Sequence, residues 1–333
     1  MPPAEFTPAS LIAHPHFQTV WGRLTRPRRL VETLREHLIT PDDDDLFVDH
    51  LPEPGPIHFV LFHGLEGSSN SVYIQGLLSR IRTAGFGASA VNFRSCARHP
   101  DRILRSIPNR RLRLYHSGET TDIDFVLQHL RERHPDIPLV AFGGSLGGNA
   151  LLKWLGENPS QTILRAAAVV SVPYDLGACA RSLEHGAGPL YVRGFVRSLK
   201  VKAREKVSRF GLEAAAIDLP RLEAARTFHD IDEAATAPIH GFESAEHYWQ
   251  ECSSIRYVDR VRTPVLAISA LDDPFIPPRV IDDLRLRSSS SIEIRATAKG
   301  GHLGFVGGNL RRPDYWAENE VVEWLAARVA ESK

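Results

Sequence analysis

Apolar and polar positions alternate along this chain with two distinct periods. Runs that are largely apolar, Ile57 to Phe62, Ala88 to Phe93, Leu139 to Phe142, Ala166 to Val172, Val265 to Ala270 and Ser291 to Thr297, predict strands. Between and after them, Ser71 to Ala84, Glu119 to Arg133, Asn149 to Leu155 and Glu318 to Glu331 carry apolar residues three and four apart, as helices do. Thr120 or Thr121 offers the N-cap of the Glu119 to Arg133 helix and Pro135 its stop. Strands alternating with helices in this rhythm predict an α/β protein with a mainly parallel central sheet flanked by helices. Upstream, Leu46 to His50 predicts an antiparallel edge strand, and Leu30 to Ile39 predicts another or a short helix.

Between the fourth and fifth of these strands, about 176–262, helical stretches follow one another without a clear strand. So long a connection is not an ordinary crossover. It reads as a helical cap insertion over the C-terminal edge of the sheet, where open α/β sheets bind ligands, within a single domain spanning 1–333.

Composition narrows the function. Lys+Arg and Asp+Glu number 40 each, so no net field draws the chain to nucleic acid or an anionic surface, and a small neutral molecule is the expected partner. The three cysteines, Cys96, Cys179 and Cys252, are too few and too scattered for a disulfide framework and fit a reducing, cytoplasmic setting. The first residues, MPPAEFTPASLIAHPHFQTVW, lack the basic flank and apolar core of a signal peptide or anchor.

The chemistry concentrates at strand ends. Gly143-Gly144-Ser145-Leu146-Gly147 fits G-x-S-x-G, a strand-to-helix turn that exposes a serine hydroxyl. A serine needs a base, and the base needs a group to orient it. Leu271-Asp272-Asp273-Pro274 leaves one later strand and Gly300-Gly301-His302-Leu303 leaves the next, giving the order Ser, Asp, His of the α/β-hydrolase fold. Ser145, Asp273 and His302 are therefore the candidate triad, with Asp272, expected to face solvent or cap the turn, as the alternative acid. Backbone N–H groups of Leu146, after the nucleophile, and of Leu65, in the loop His63-Gly64-Leu65, are the candidate oxyanion donors. His63 is expected to brace that loop rather than act as a second base.

On these stretches, together with Phe17-Gln18-Thr19-Val20-Trp21, Phe62 to Ser68, Asn92-Phe93-Arg94, Tyr115 to Thr120 and Thr236 to Phe242, the chain resembles the AB hydrolase 4 family of α/β-hydrolases, which includes the YheT-like bacterial proteins. The resemblance spans almost the whole chain. It implies serine-dependent hydrolysis of carboxylic esters, with relatives acting on acylglycerols, phospholipids or short- and medium-chain fatty acyl esters. It also carries Ser145, Asp273 and His302 over as the triad and implies no cofactor. Where relatives tend to run Phe-Arg-Gly-Cys-Ser-Gly, this chain has Phe93-Arg94-Ser95-Cys96-Ala97-Arg98 and a longer loop to Tyr115.

Other patterns carry less. Gly85-Phe86-Gly87-Ala88-Ser89-Ala90 matches G-x-G-x-x-A but precedes a strand, the reverse of a dinucleotide site. Asp42 to Asp45 reads as a solvated turn rather than a cation site, and His14-Pro15-His16 lacks a third metal ligand. Arg102 to Arg113, basic with apolar residues between, reads as a solvated edge loop or a weak contact to a lipid surface. Cys96 has no relay beside it. The alternatives to ester hydrolysis are an acyltransferase making esters from the same acyl-enzyme, and a non-catalytic binding protein on the same fold.

Overall fold

A computed structural model describes residues 5–26, 31–102, 104–309 and 311–331. Leu30 of the upstream segment and Ile103 of the arginine-rich loop lie outside them. An N-terminal helix α1 (Pro15–Thr25) precedes β1 (Leu34–Ile39), β2 (Asp45–His50), β3 (His58–Phe62), α2 (Val72–Thr83), β4 (Gly87–Asn92), α3 (Thr121–Arg133), β5 (Leu139–Gly144), α4 (Leu146–Glu157) and β6 (Leu164–Val170). The chain resumes the sheet with β7 (Val265–Ala270), continues through α5 (Pro278–Arg287) to β8 (Ile292–Thr297), and ends in a hairpin, β9 (Val306–Asn309) and β10 (Arg312–Tyr315), and α6 (Trp316–Glu331). Eight strands form one sheet in the order β1-β2-β4-β3-β5-β6-β7-β8. Its β1–β2 and β2–β4 pairs are antiparallel and the others parallel.

The period of two along each strand explains the layers. Val60, Phe62, Leu139 and Ala141 face one core with α3, α4 and α5, while Phe59, Leu61, Val140 and Phe142 face another with α2 and α6. Strands buried on both faces must read as continuous apolar runs, which is why these were legible. Each fully buried Leu, Val or Phe contributes roughly 1.5–3 kcal/mol of transfer free energy.

Between β6 and β7 the described residues form helices and no strand, the longest being Gly188–Phe210, called the long cap helix below after the cap expected from the sequence. This segment has its own apolar cluster, including Val192, Val196, Leu222, Ile231 and Ala234, to which Leu112 and Phe275 of the α/β body are added.

The structure refines several sequence expectations. Thr120 is the N-cap residue of α3, but its side chain makes no capping bond; the Glu119 carboxylate accepts the Thr121 and Asp122 N–H groups at 3.1 and 3.4 Å instead. Asp42 to Asp45 does turn, with Asp42 and Asp43 exposed, but Asp44 is buried and the run is not merely solvated. Arg94, 1% exposed, meets Asp122 and Asp42 each in bidentate geometry at 2.7–2.9 Å and Asp44 at 2.7 Å. Asp44 also accepts the Arg110 N–H at 2.7 Å, Arg110 pairs with Asp43 and Asp45, and Arg111 pairs with Asp43. The arginine-rich loop is therefore not simply solvated: these arginines, with Arg113 on Glu119, turn toward the acidic run and leave less charge for an external surface. Runs of like charge found separately in the sequence neutralise each other in space. Finally, of the two readings of Leu30 to Ile39, the strand is the one found, over Leu34–Ile39 and antiparallel to β2.

Candidate active site

The β5–α4 turn is built from residues that only small side chains permit. A Cβ on Gly143 would lie 2.5 Å from the Gly148 Cα, and one on Gly147 would lie 2.5 Å from the His63 carbonyl oxygen. Ser145 itself has φ 51° and ψ −121°, a conformation that costs of order 1–3 kcal/mol for a residue with a Cβ. That turn lifts its side chain clear of the sheet.

Three elements distant in sequence converge there. His302 Nε2 lies 3.0 Å from Ser145 Oγ, and His302 Nδ1 lies 2.9 and 3.1 Å from the two oxygens of Asp273, whose side chain is fully shielded from solvent. With a carboxylate at Nδ1, the neutral imidazole holds its proton there and leaves Nε2 to accept the Ser145 hydroxyl. Asp273 Oδ1 also accepts the Phe275 N–H at 2.8 Å. The Phe275 ring stacks on the His302 ring at 4.2 Å.

The loop carrying His302 is held from several sides. Asp272 Oδ1 accepts the Gly301 N–H at 2.9 Å, Thr19 Oγ1 accepts the His302 N–H at 3.0 Å, and Ser171 Oγ accepts the Leu303 N–H at 3.0 Å. Asp272 is thus half-buried, not solvent-facing, and burial pushes its carboxyl up from its ordinary range despite the backbone donors. Gly301, at φ 59°, lies so close to α1 that a Cβ would sit 2.5 Å from the Pro15 carbonyl oxygen. Gln18, fully buried, exchanges hydrogen bonds with both backbone groups of Val306 at 2.7 and 2.9 Å. Thr19, Ser171 and Phe275 have no periodicity or spacing that marks them; Thr19 lies in the family-like stretch Phe17 to Trp21 and Phe275 in the stretch Asp272 to Phe275, and neither resemblance named a role for them.

Opposite the histidine, the loop after β3 approaches the serine so closely that a Cβ on Gly64 would lie 3.1 Å from Ser145 Cβ. His63, fully buried, is placed 2.7 Å from the Gly64 carbonyl oxygen through Nδ1, and its Nε2 accepts the Phe93 N–H at 3.2 Å. Burial pushes its imidazole down to about 4, so it is neutral. The Gly64 N–H goes to Tyr73 Oη at 2.6 Å, the Glu66 N–H to Tyr115 Oη at 2.7 Å and the Gly67 N–H to Gly64 O at 3.0 Å. Among the described residues the Leu65 N–H has no such partner. Because the Gly64–Leu65 peptide is trans, fixing its carbonyl toward His63 turns that N–H the other way. Leu146 is the first residue of α4, where the N–H has no intrahelical acceptor.

Cys96 is buried, and burial raises its thiol. In the helical segment, His229, Glu233 and Glu246 bring ligand atoms within 4.8 Å of one another, but His229 lies 2.9 Å from Glu246 and Arg221 3.5 Å from Glu233, so both carboxylates already have partners.

A hydroxyl backed by an oriented imidazole, in a loop region where the Leu65 and Leu146 N–H groups have no partner among the described residues, is an arrangement suited to acyl transfer. Residues 57–308 match the model of the α/β-hydrolase fold family. The chain belongs to the α/β-hydrolases. It is 35% identical to the putative esterase YheT of Escherichia coli (strain K12), over 97% of this chain and 93% of that protein. It is 26% identical to the phospholipase ABHD3 of Mus musculus, over 96% of this α/β-hydrolase and 80% of that one. The esterase of Exiguobacterium antarcticum shares the fold, with a TM-score of 0.54 at 16% identity, covering 87% of this chain and 98% of that one. No helix among the described residues is long and apolar enough to cross a membrane.

Proposed function

We propose that this α/β-hydrolase cleaves carboxylic esters through an acyl-enzyme on Ser145. The observation that carries the reading is the unbroken line Ser145 Oγ, His302 Nε2, His302 Nδ1, Asp273, with steps of 3.0 and 2.9 Å. As Ser145 Oγ attacks the ester carbonyl carbon, His302 Nε2 takes its proton and Asp273 stabilises the imidazolium. The carbonyl oxygen becomes an oxyanion facing the Leu65 and Leu146 N–H groups, a kind of interaction worth about 3 kcal/mol per donor. His302 then returns the proton to the departing alkoxide. Water, deprotonated by the same histidine, releases the acid and restores the serine. An alcohol in place of that water would give a new ester.

The substrate class we infer is short- to medium-chain fatty acyl esters or acylglycerols. Two relatives support it by name: a medium-chain fatty acid ethyl ester synthase/esterase 2 of Saccharomyces cerevisiae, 29% identical over 80% of this chain, and a monoacylglycerol lipase of the same yeast, 28% identical over 80%. The test is a p-nitrophenyl ester series from acetate to dodecanoate. Wild-type protein should turn over at least one member, and Ser145→Ala should lose about 10⁵-fold in kcat with an unchanged melting temperature. Ester hydrolysis surviving in that variant would refute the mechanism, and no turnover of any ester by folded wild type would refute the function.

A further inference from the structure

The long cap helix is tied to the loop that carries the Leu65 N–H by a buried polar cluster that the reaction as written does not use. Glu66 follows Leu65 directly and stands at φ 56°, a left-handed conformation for a residue with a long side chain. Such a backbone persists only when its surroundings determine it. Here Lys202 Nζ donates to Glu66 Oε1 at 2.6 Å, Tyr115 Oη donates to the same oxygen at 2.9 Å, and Ser198 Oγ donates to Oε2. The Glu66 backbone is held as well, its N–H by Tyr115 Oη at 2.7 Å and its carbonyl by Arg98 at 3.1 Å.

Ser198 and Lys202 are one helical turn apart, and Lys206, a further turn on, donates to Asn109 O, Asn109 Oδ1 and Arg111 O at 3.0, 2.8 and 2.6 Å. This polar stripe is packed inward. Lys202 and Glu66 side chains are 9% and 10% exposed, and the ammonium also lies 3.2 Å from Cys96 Sγ and 4.9 Å from the centre of the Tyr115 ring. Burial alone would raise the Glu66 carboxyl, but Lys202, Ser198 and Tyr115 more than offset it, so the pair is ionised. Lysine and glutamate are rarely buried unless paired, and removal of one partner leaves a buried charge without compensation.

We propose that Lys202 and Glu66 are positioning residues for the reaction: seating of the long cap helix fixes the Leu65–Glu66 backbone and so completes the oxyanion-binding geometry beside Ser145. This rests on the serine hydrolase reading above. A substrate that unseats the long cap helix loses an oxyanion donor, so acylation is coupled to closure.

The experiment measures the second-order rate of Ser145 phosphonylation by a fluorophosphonate, a tetrahedral reagent whose attack needs the oxyanion donors, alongside kcat and KM for a p-nitrophenyl ester. Lys202→Met should slow phosphonylation and lower kcat by about 10²-fold, the effect of losing one such donor, with KM within about twofold. Glu66→Gln combined with Lys202→Met removes the uncompensated charge and should recover much of that loss. If Lys202→Met does not fold, Tyr115→Phe and Ser198→Ala keep the ion pair and should each slow phosphonylation several-fold without a matching change in KM. Wild-type phosphonylation rates in the folded variants, or a loss confined to KM, would overturn the proposal while leaving the hydrolase reading intact. Failure of wild-type protein to react at Ser145 would instead overturn the hydrolase reading.

Discussion

Asp272 and Asp273 are neighbours in the chain with different partners: Asp273 meets the His302 imidazole at 2.9 Å, while Asp272 accepts the Gly301 N–H at 2.9 Å and so holds the loop from which His302 projects. One orients the ring and the other its backbone. Asp273→Asn would present an amide to Nδ1, favour the wrong tautomer and lower kcat by about 10⁴-fold. Asp272→Asn keeps an acceptor for Gly301 and relieves the burial that raises the Asp272 carboxyl, so kcat should fall by no more than about tenfold, with stability changed by about 1 kcal/mol or less. Steady-state kinetics on the two variants check the assignment; equal losses would contradict it.

Thr19 links the N-terminal helix to the site by accepting the His302 N–H while donating to Pro15 O at 2.8 Å. Thr19→Val preserves shape and removes both bonds. The expected result is a kcat several-fold lower and a stability loss of about 1–3 kcal/mol, because the His302 N–H is left without its acceptor. Urea unfolding and ester kinetics on the same preparation read the two effects separately.

Arg94 holds three carboxylates, of which Asp44 and Asp122 are buried with it and Asp42 is exposed. Arg94→Met should destabilise by about 3–5 kcal/mol, since Asp44 and Asp122 would remain buried without a cation. Adding Asp122→Asn should recover part of the loss. An Arg94→Met protein as stable as wild type in urea would show that the cluster is not held together in this way.

Burial depresses six histidines from the ordinary 6.5 among the described residues: His58 and His240 to about 3, His63 and His116 to about 4, and His50 and His134 in the same direction. Each is neutral when folded and takes up a proton on unfolding once the pH drops below 6.5. Their stabilisation is therefore complete above pH 6.5 and is lost as pH falls toward their folded values. Each proton taken up adds a slope of about 1.4 kcal/mol per pH unit, so stability should fall steeply between pH 6.5 and 5, before most carboxylates titrate. Unfolding free energies from urea titrations across that range test this, and a flat profile would contradict it.

Much of the architecture was legible because burial on both faces leaves an unmistakable apolar run, as in Phe59 to Phe62 and Val265 to Ala270. Ser145 and His302 were legible because glycines crowd around them for steric reasons. The rest depends on pairings that local patterns cannot express. Arg94 meets Asp42 across 52 positions, Thr19 meets His302 across 283, and Lys202 meets Glu66 across 136. No local pattern marks Lys202 or Lys206, whose acceptors the fold brings from distant segments. The β9–β10 hairpin was missed because Gly307, Gly308 and Pro313 are poor strand formers.

The central claim is that Ser145 is an activated nucleophile. Intact-protein mass spectrometry after incubation with a fluorophosphonate tests it most directly. The account requires a single phosphonyl adduct on wild-type protein that is absent from Ser145→Ala and strongly reduced in His302→Ala. An unmodified mass for folded wild-type protein, or an adduct that persists in Ser145→Ala, would contradict it.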